Sequence, residues 1–235
     1  MSRKLLGAAT AALVLLLGFW ATGRLYTIRL AARPPASVTG PVGAAEAPAS
    51  GDFIAGFDAA VPPAVKIPDR VPDVSLQDRS GKLTSIKSWD GKALIINFWA
   101  TWCQPCRREI PLLNALNSRW ADRGVAVIGI AVDHRDSVMA YADELKIAYP
   151  LLIGEQDALE AAAAFGVDSP AFPFTVFTDR RGEVVALFVG ELHQAQADLI
   201  LSQVQDLDRD RIALPQARRT ISEGLRALLA AARSG

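Results

Sequence analysis

The sequence predicts an α/β protein built as a three-layer sandwich, with a mixed β-sheet between two layers of helices. Short apolar runs alternate with segments of helical periodicity from residue 93 to about residue 165, which is typical of parallel strands joined by helices. Two more apolar runs follow each other across a turn at 179–182, so we expect them to pair antiparallel. Apolar residues make up 51% of the chain, enough to bury such a core.

An uncharged stretch at the N-terminus runs from Leu5 to Thr22, behind Arg3 and Lys4. At about 18 residues it exceeds the apolar core of a signal peptide and approaches the length of a spanning helix. The nearest candidate cleavage site, at 21–23, is poor. We therefore expect residues 1–24 to form a transmembrane anchor, with a removed signal segment as the alternative.

Residues 25–64 are rich in Ala and Pro and show neither helical nor strand periodicity, which indicates a linker. A folded domain is expected over residues 65–207. Its first part, up to about residue 90, combines turn residues with short apolar alternations, which favours an edge strand or a hairpin.

The other elements of the domain follow from the spacing of apolar residues. Strands are predicted at Ala93–Trp99, Val125–Val132, Tyr149–Ile153, Phe174–Thr178 and Glu183–Val189. Helices are predicted from about Cys103 through Trp120, and at Asp136–Lys146, Glu155–Phe165 and His193–Leu207.

Residues 208–235 are predicted to form an extension that carries one more helix, after Pro215. Thr220 and Glu223 have the spacing of a capping box. Packing of this helix on the domain itself and contact with a partner or a membrane surface both remain open. The apolar residues on its one face are Ile221, Leu225, Leu228, Leu229 and Ala232.

Charge and cysteine content exclude several classes of function. The 25 Lys and Arg residues balance 25 Asp and Glu residues, so the chain lacks the cationic surplus of a nucleic-acid binder. Its two cysteines are too few for a multi-disulfide framework. His134 and His193 are far apart in sequence, so we expect surface or helix-start histidines and no metal site.

The chemistry is expected at Cys103 and Cys106, which lie where a strand passes into a helix. Their spacing places the Cα atoms about 5–6 Å apart, within disulfide range. The helix N-terminus stabilises a thiolate at Cys103, the predicted nucleophile, and Cys106 can attack the mixed disulfide that forms. Gln104 and Pro105 separate the cysteines, and Pro105 suits a first helical turn. Trp102 is expected to flank the exposed outer sulfur. The structural alternative is an inert disulfide or two unrelated buried thiols.

The segment around the cysteines, residues 97–111, reads NFWATWCQPCRREIP. It resembles thioredoxin-fold thiol–disulfide oxidoreductases, and within them the membrane-anchored TlpA/ResA-like family. The similarity continues at 127–133, 165–167 and 173–177 and covers about residues 65–207. It implies a thioredoxin-like fold and an extracytoplasmic enzyme that reduces disulfides in partner proteins, such as apocytochromes or copper-site assembly proteins.

The resemblance also implies a substrate-binding surface beside the cysteines. Pro173 matches the family's cis-proline, which exposes the preceding backbone to a bound peptide. Trp102 and Phe172 are predicted to join it, although Phe172 is larger than the usual residue at its position. Pro170 is the rival candidate for the cis bond.

Glu109 matches an acidic residue that this family carries three positions after the second cysteine. On a helix this spacing brings it near Cys106, where a carboxylate could take or give a proton during exchange. A solvated surface charge is the alternative. Asn97 replaces the buried Asp of thioredoxin itself, and because an amide cannot accept a proton, any relay must use Glu109 or water.

The predicted function is that of a periplasmic, membrane-tethered protein-disulfide reductase. The residues between the cysteines lack the His of strong oxidants, which favours a reductant. No nicotinamide or flavin fingerprint appears, so we expect no cofactor beyond the redox-active Cys103–Cys106 disulfide, and recycling by a membrane thiol electron donor. The alternatives are an oxidase or isomerase of the same fold, a peroxidase, and a non-catalytic docking module.

Overall fold

The computed structural model describes residues 67–168 and 171–234. The expected anchor, the linker and Pro170 lie outside these residues. Within the described ranges, no helix is both long and apolar enough to cross a membrane.

Seven strands and five α-helices form the described part of the chain. The strands are β1 (Ser75–Asp78), β2 (Leu83–Ser85), β3 (Ala93–Trp99), β4 (Val125–Val132), β5 (Leu151–Gly154), β6 (Phe174–Thr178) and β7 (Val184–Val189). The helices are α1 (Gln104–Trp120), α2 (Arg135–Glu144), α3 (Gln156–Ala164), α4 (Gln194–Asp208) and α5 (Leu214–Ser234).

The strands form one mixed sheet in the order β2-β1-β5-β4-β3-β6-β7. The three central strands β3, β4 and β5 are parallel, and the pairs on either side of them are antiparallel. This arrangement confirms the predicted mixed sheet, and β1 with β2 forms the hairpin expected before residue 90. Because β3 is parallel to β4 and β5, the segment that follows it emerges at the C-terminal edge of these strands.

Strand β3 is buried along its whole length and sends alternate residues into two cores. Ala93, Ile95 and Trp99 pack in a core with residues of α1, α2, α4 and α5. The even-numbered residues of β3 pack in a second core with α3 and the N-terminal hairpin. Asn97 shares the face of Ile95 and Trp99, so this strand carries an amide into the core beneath α1.

Several predicted boundaries were wrong by one or more residues, including the starts of β5 and of the last helix. The strand expected from Tyr149 begins at Leu151, because Pro150 has no N–H with which to join the ladder. The last helix begins at Leu214, so Thr220 and Glu223 lie inside it and do not form a cap. This helix packs on the domain itself through residues that include the buried Ala217.

Candidate active site

Cys103 and Cys106 form a disulfide at the start of α1, with an S–S length of 2.00 Å and Cα atoms 5.3 Å apart. Cys103 is the N-cap residue, and the Cys106 N–H points to its Sγ at 3.3 Å. Pro105 lies in the first turn, where no N–H is needed. The sulfur of Cys103 therefore accepts the Cys106 N–H at the positive end of a 17-residue helix, which favours a thiolate once the bond is reduced.

Access to the disulfide is unequal. Cys106 has no exposed surface, whereas Cys103 retains 4% of its surface. Cys103 is thus less exposed than the term outer sulfur suggests, because the first turn of a helix packed on a sheet places both cysteines in the core. The small exposed surface of Cys103 is therefore the opening through which we expect a partner to reach the disulfide.

The surface beside this opening is built from aromatic residues. The peptide bond between Phe172 and Pro173 is cis, as expected for this position. Phe172 stacks on Phe174 with ring centroids 6.2 Å apart, and it meets Trp102 edge-on at 5.9 Å. Trp102 remains 69% exposed. Phe174 stacks in turn on Phe98 at 4.3 Å, so the exposed indole rests on a continuous aromatic column that reaches the core.

Glu109 is buried, with 1% of its surface exposed, so the interpretation as a solvated charge was wrong. Its Oε1 accepts a hydrogen bond from Asn97 Nδ2 at 2.7 Å, and its Oε2 accepts one from the Leu192 N–H at 2.8 Å. Asn97 Nδ2 also donates to Thr175 Oγ1 at 3.1 Å. The carboxyl is thus held from three sides: by its own helix, by β3 and by the loop between β7 and α4.

Burial raises the pKa of Glu109 from its ordinary value of 4.5 to about 7. The nearby negative charge of Glu191 also raises this pKa, while the hydrogen bonds from Leu192 and Asn97 lower it. Glu191 itself forms a two-point ion pair with Arg108 on α1, at 2.6 and 2.9 Å. This pair joins the Leu192 loop to α1. A carboxyl with such a pKa can both release and accept a proton near neutral pH.

More buried polar groups surround Glu109 than the sequence suggested. Tyr149 is buried and its pKa is raised, first by burial and then by the charge of Glu109. Its ring and the indole of Trp99 pack over Gly129, where a Cβ would approach the Tyr149 ring to 2.9 Å and Trp99 Nε1 to 3.2 Å. Gly129 is the cross-strand partner of Asn97. An isolated glycine within the apolar run of β4 was the available signal for this close packing.

The two histidines lie at helix starts, as expected. His134 caps α2, is exposed, and pairs through Nδ1 with Glu155 Oε2 at 2.9 Å. His193 caps α4, and its backbone N–H donates to Gln196 Oε1 at 3.1 Å. Across the described residues, no three His, Cys, Asp or Glu side chains lie close enough to hold a metal ion.

Comparison with known proteins agrees with this geometry. Residues 67–187 match the AhpC/TSA family. The chain is 34% identical over 143 residues to the thioredoxin-like protein YneN of Bacillus subtilis, with 59% of this chain and 78% of that protein covered. It is 29% identical to the thiol-disulfide oxidoreductase ResA of Geobacillus kaustophilus, with 60% and 80% covered.

Solved structures share the fold. A thiol:disulfide interchange protein of the thioredoxin family from Chlorobium tepidum is 33% identical and superposes with a TM-score of 0.53, covering 59% of this chain and 97% of that one. These relatives confirm the predicted resemblance to thioredoxin-fold proteins of the ResA type and the expected enzyme class, thiol–disulfide oxidoreductase. The chain therefore belongs to the AhpC/TSA family.

Proposed function

We propose that this enzyme works as a reductant: it reduces disulfides in extracytoplasmic proteins that mature as c-type cytochromes or metal-site proteins. The observation that carries the proposal is the Cys103–Cys106 disulfide at the start of α1, in which Cys103 retains 4% of its surface and Cys106 none. Such a pair forms a mixed disulfide at the outer sulfur and resolves it from the inner one.

The exchange has two steps. The Cys103 thiolate attacks one sulfur of a substrate disulfide, so a Cys103–substrate disulfide forms and the first substrate thiolate leaves. Cys106 then loses its proton and attacks Cys103 Sγ, which re-forms the Cys103–Cys106 bond and releases the second substrate thiolate. Two electrons pass from the protein dithiol to the substrate, and a dithiol electron donor at the membrane must return them.

Glu109 is the proposed proton acceptor for Cys106. It follows Cys106 by three residues on α1, its pKa is about 7, and Asn97 on the facing strand offers no basic group. The family's cis-proline surface, formed here by Trp102, Phe172 and Pro173, is the proposed docking site for the substrate backbone. No cofactor other than the two sulfurs is needed for these steps.

The direction of electron flow rests on the residues between the cysteines. Gln104 and Pro105 provide no cationic side chain to stabilise the reduced form, whereas strong oxidants carry a His there. Equilibration of the full chain with glutathione buffers will measure the potential of the pair. We expect a value near that of thioredoxin, about −270 mV, and a value above roughly −150 mV would contradict the reductant and support the oxidase alternative.

The cellular setting is proposed from the sequence alone. The apolar stretch at residues 5–22 would anchor the protein in the cytoplasmic membrane with its folded domain in the periplasm. Membrane fractionation with protease treatment of intact spheroplasts tests this arrangement. We expect the domain to sediment with membranes and to be digested from outside; recovery in the soluble periplasmic fraction would support a removed signal instead.

The remaining enzymatic alternative is a peroxidase. The reduced protein can be mixed with hydrogen peroxide and its free thiols counted over time. We expect peroxide to be consumed no faster than by an equal concentration of cysteine thiolate, and rapid stoichiometric consumption would support the peroxidase.

A further inference from the structure

A groove of about 420 Å³ lies beside Trp102 and Phe172 and includes residues at the starts of α2 and α3. Its lining residues are Trp102, Val132, Asp133, His134, Glu155, Gln156, Leu159 and Phe172.

One part of the groove is apolar. Trp102 is 69% exposed and Leu159, on α3, is 36% exposed, with the half-buried Phe172 also lining the groove. Large exposed apolar side chains that converge on one concavity provide a surface for an apolar side chain of a partner. Trp102 is the residue next to Cys103, so we expect a substrate side chain bound here to lie close to the substrate cysteine that Cys103 attacks.

Another part of the groove lining carries negative charge. Asp133 accepts hydrogen bonds from the Thr101 N–H at 3.3 Å and from the His134 N–H at 2.7 Å, which fixes its carboxylate at the end of β4. Glu155 lies before α3 with its side chain 59% exposed, and its Oε2 contacts His134 Nδ1 at 2.9 Å. The groove is lined by these two carboxylates and by no Lys or Arg side chain of the described residues.

We propose that this groove selects extended protein segments that carry a large apolar side chain and a Lys or Arg side chain next to the cysteine attacked by Cys103. The apolar side chain packs between Trp102 and Leu159, and the cation faces Glu155 and Asp133. This inference rests on the proposed function, since it names the class of substrate for the same exchange. It adds Leu159, Glu155 and Asp133 as residues that determine specificity.

The test uses the full chain with Cys106→Ser, in its reduced form, so that the reaction stops at the mixed disulfide. Two synthetic peptides each carry one cysteine as a mixed disulfide with 2-nitro-5-thiobenzoate. One has Leu and Lys beside the cysteine, and the other has Ser and Glu there. The Cys103 thiolate attacks the peptide sulfur, the Cys103–peptide disulfide forms, and the coloured thiolate leaves and is measured.

We expect the Leu–Lys peptide to react about tenfold faster than the Ser–Glu peptide, with the difference shrinking as salt rises. Glu155→Gln should reduce this preference about two- to fivefold, the range for loss of one exposed charge pair. Leu159→Ser should also reduce the preference, but it should leave the salt dependence of the preference unchanged because no charge is removed. Glu160→Gln, the same charge change five residues further along the chain, within α3 and outside the groove lining, is the matched control and should leave the preference unchanged.

A small neutral disulfide, 2,2′-dithiodipyridine, separates the two ways of failing. If it reacts with Cys103 at the same rate in every variant while the two peptides react equally, the proposed groove specificity is wrong and the exchange function stands. If neither the peptides nor this reagent reacts with Cys103, the proposed function fails. Equal losses from Glu155→Gln and Glu160→Gln would also overturn the groove specificity.

Discussion

Asn97 on β3 donates a buried hydrogen bond to Glu109 on α1, with 2.7 Å between Nδ2 and Oε1. The amide satisfies the carboxylate without competing for its proton, because an amide does not titrate near neutral pH. Glu109 is therefore the group in this pair that can exchange a proton with Cys106.

Substitution of this carboxyl tests its role. In Glu109→Gln, resolution of a Cys103 mixed disulfide by Cys106 should slow about 100-fold, the low end for loss of general acid–base catalysis. The inflection near pH 7 in the pH dependence of this rate should disappear. Stopped-flow rates across pH provide the measurement. Glu109→Asp keeps a carboxyl and should keep an inflection. An inflection that persists in Glu109→Gln would assign it to another group.

The same residue should make stability depend on pH. The folded-state pKa of Glu109 is raised to about 7 from 4.5, so between these values the unfolded chain loses the proton that the folded chain keeps. Stability from this group is full below about pH 4 and lost as pH rises through about 7, a loss of about 3 kcal/mol. Urea unfolding of the oxidised full chain should show it. In Glu109→Gln this decline should be absent, so a wild-type curve parallel to that of the variant would contradict the shift.

The pKa of Glu109 should respond to Glu191. Because the Glu191 charge raises that pKa, Glu191→Gln should move the inflection of the resolution rate to lower pH. Gln can still accept a hydrogen bond from Arg108, so the loop stays attached. Asp198→Asn, which removes the exposed ion pair between Arg119 and Asp198, is the control and should leave the inflection in place. A shift of the inflection to higher pH would contradict the prediction.

Unequal access to the two sulfurs predicts which cysteine forms the intermediate. Reduced Cys106→Ser should accumulate a covalent adduct with a disulfide protein such as insulin, detected on non-reducing gels. Cys103→Ser should accumulate little, because Cys106 has no exposed surface. A docking module would bind without any covalent adduct in either variant, and equal adducts in both would show that Cys106 is also reachable.

The close packing over Gly129 predicts a cost for any side chain there. A Cβ at this position would approach Leu151 Cδ2 to 2.6 Å, so Gly129→Ala should reduce the free energy of unfolding by about 1–3 kcal/mol. In the double variant with Leu151→Ala, the total loss of unfolding free energy should be smaller than the sum of the two single losses, because removal of the Leu151 side chain makes room for the new Cβ. If the losses from Gly129→Ala and Leu151→Ala were additive, the strain would not come from contact between the new Cβ and Leu151.

Local pattern was sufficient for the central sheet. The bounds of β3, β4 and β6 agree with the predicted strands, because long apolar runs without polar breaks leave little choice of structure. The disulfide at Cys103 and Cys106 followed from helix geometry, and the cis bond before Pro173 from family resemblance.

Burial of Glu109 did not follow from local pattern. A glutamate between Arg108 and Ile110 reads equally well as a surface residue, and its partners come from distant parts of the chain, at positions 97 and 192. The groove beside Trp102 was not predicted for the same reason: Glu155 and Leu159 are brought to it by the parallel packing of β5 beside β4.

The single opening at Cys103 has a kinetic consequence. In the proposed exchange, an electron donor and a substrate both react at this one sulfur, so the two covalent intermediates exclude each other. Turnover by this scheme is of the ping-pong kind, in which the protein reacts alternately with the donor and with the substrate, and an excess of either one inhibits reaction with the other.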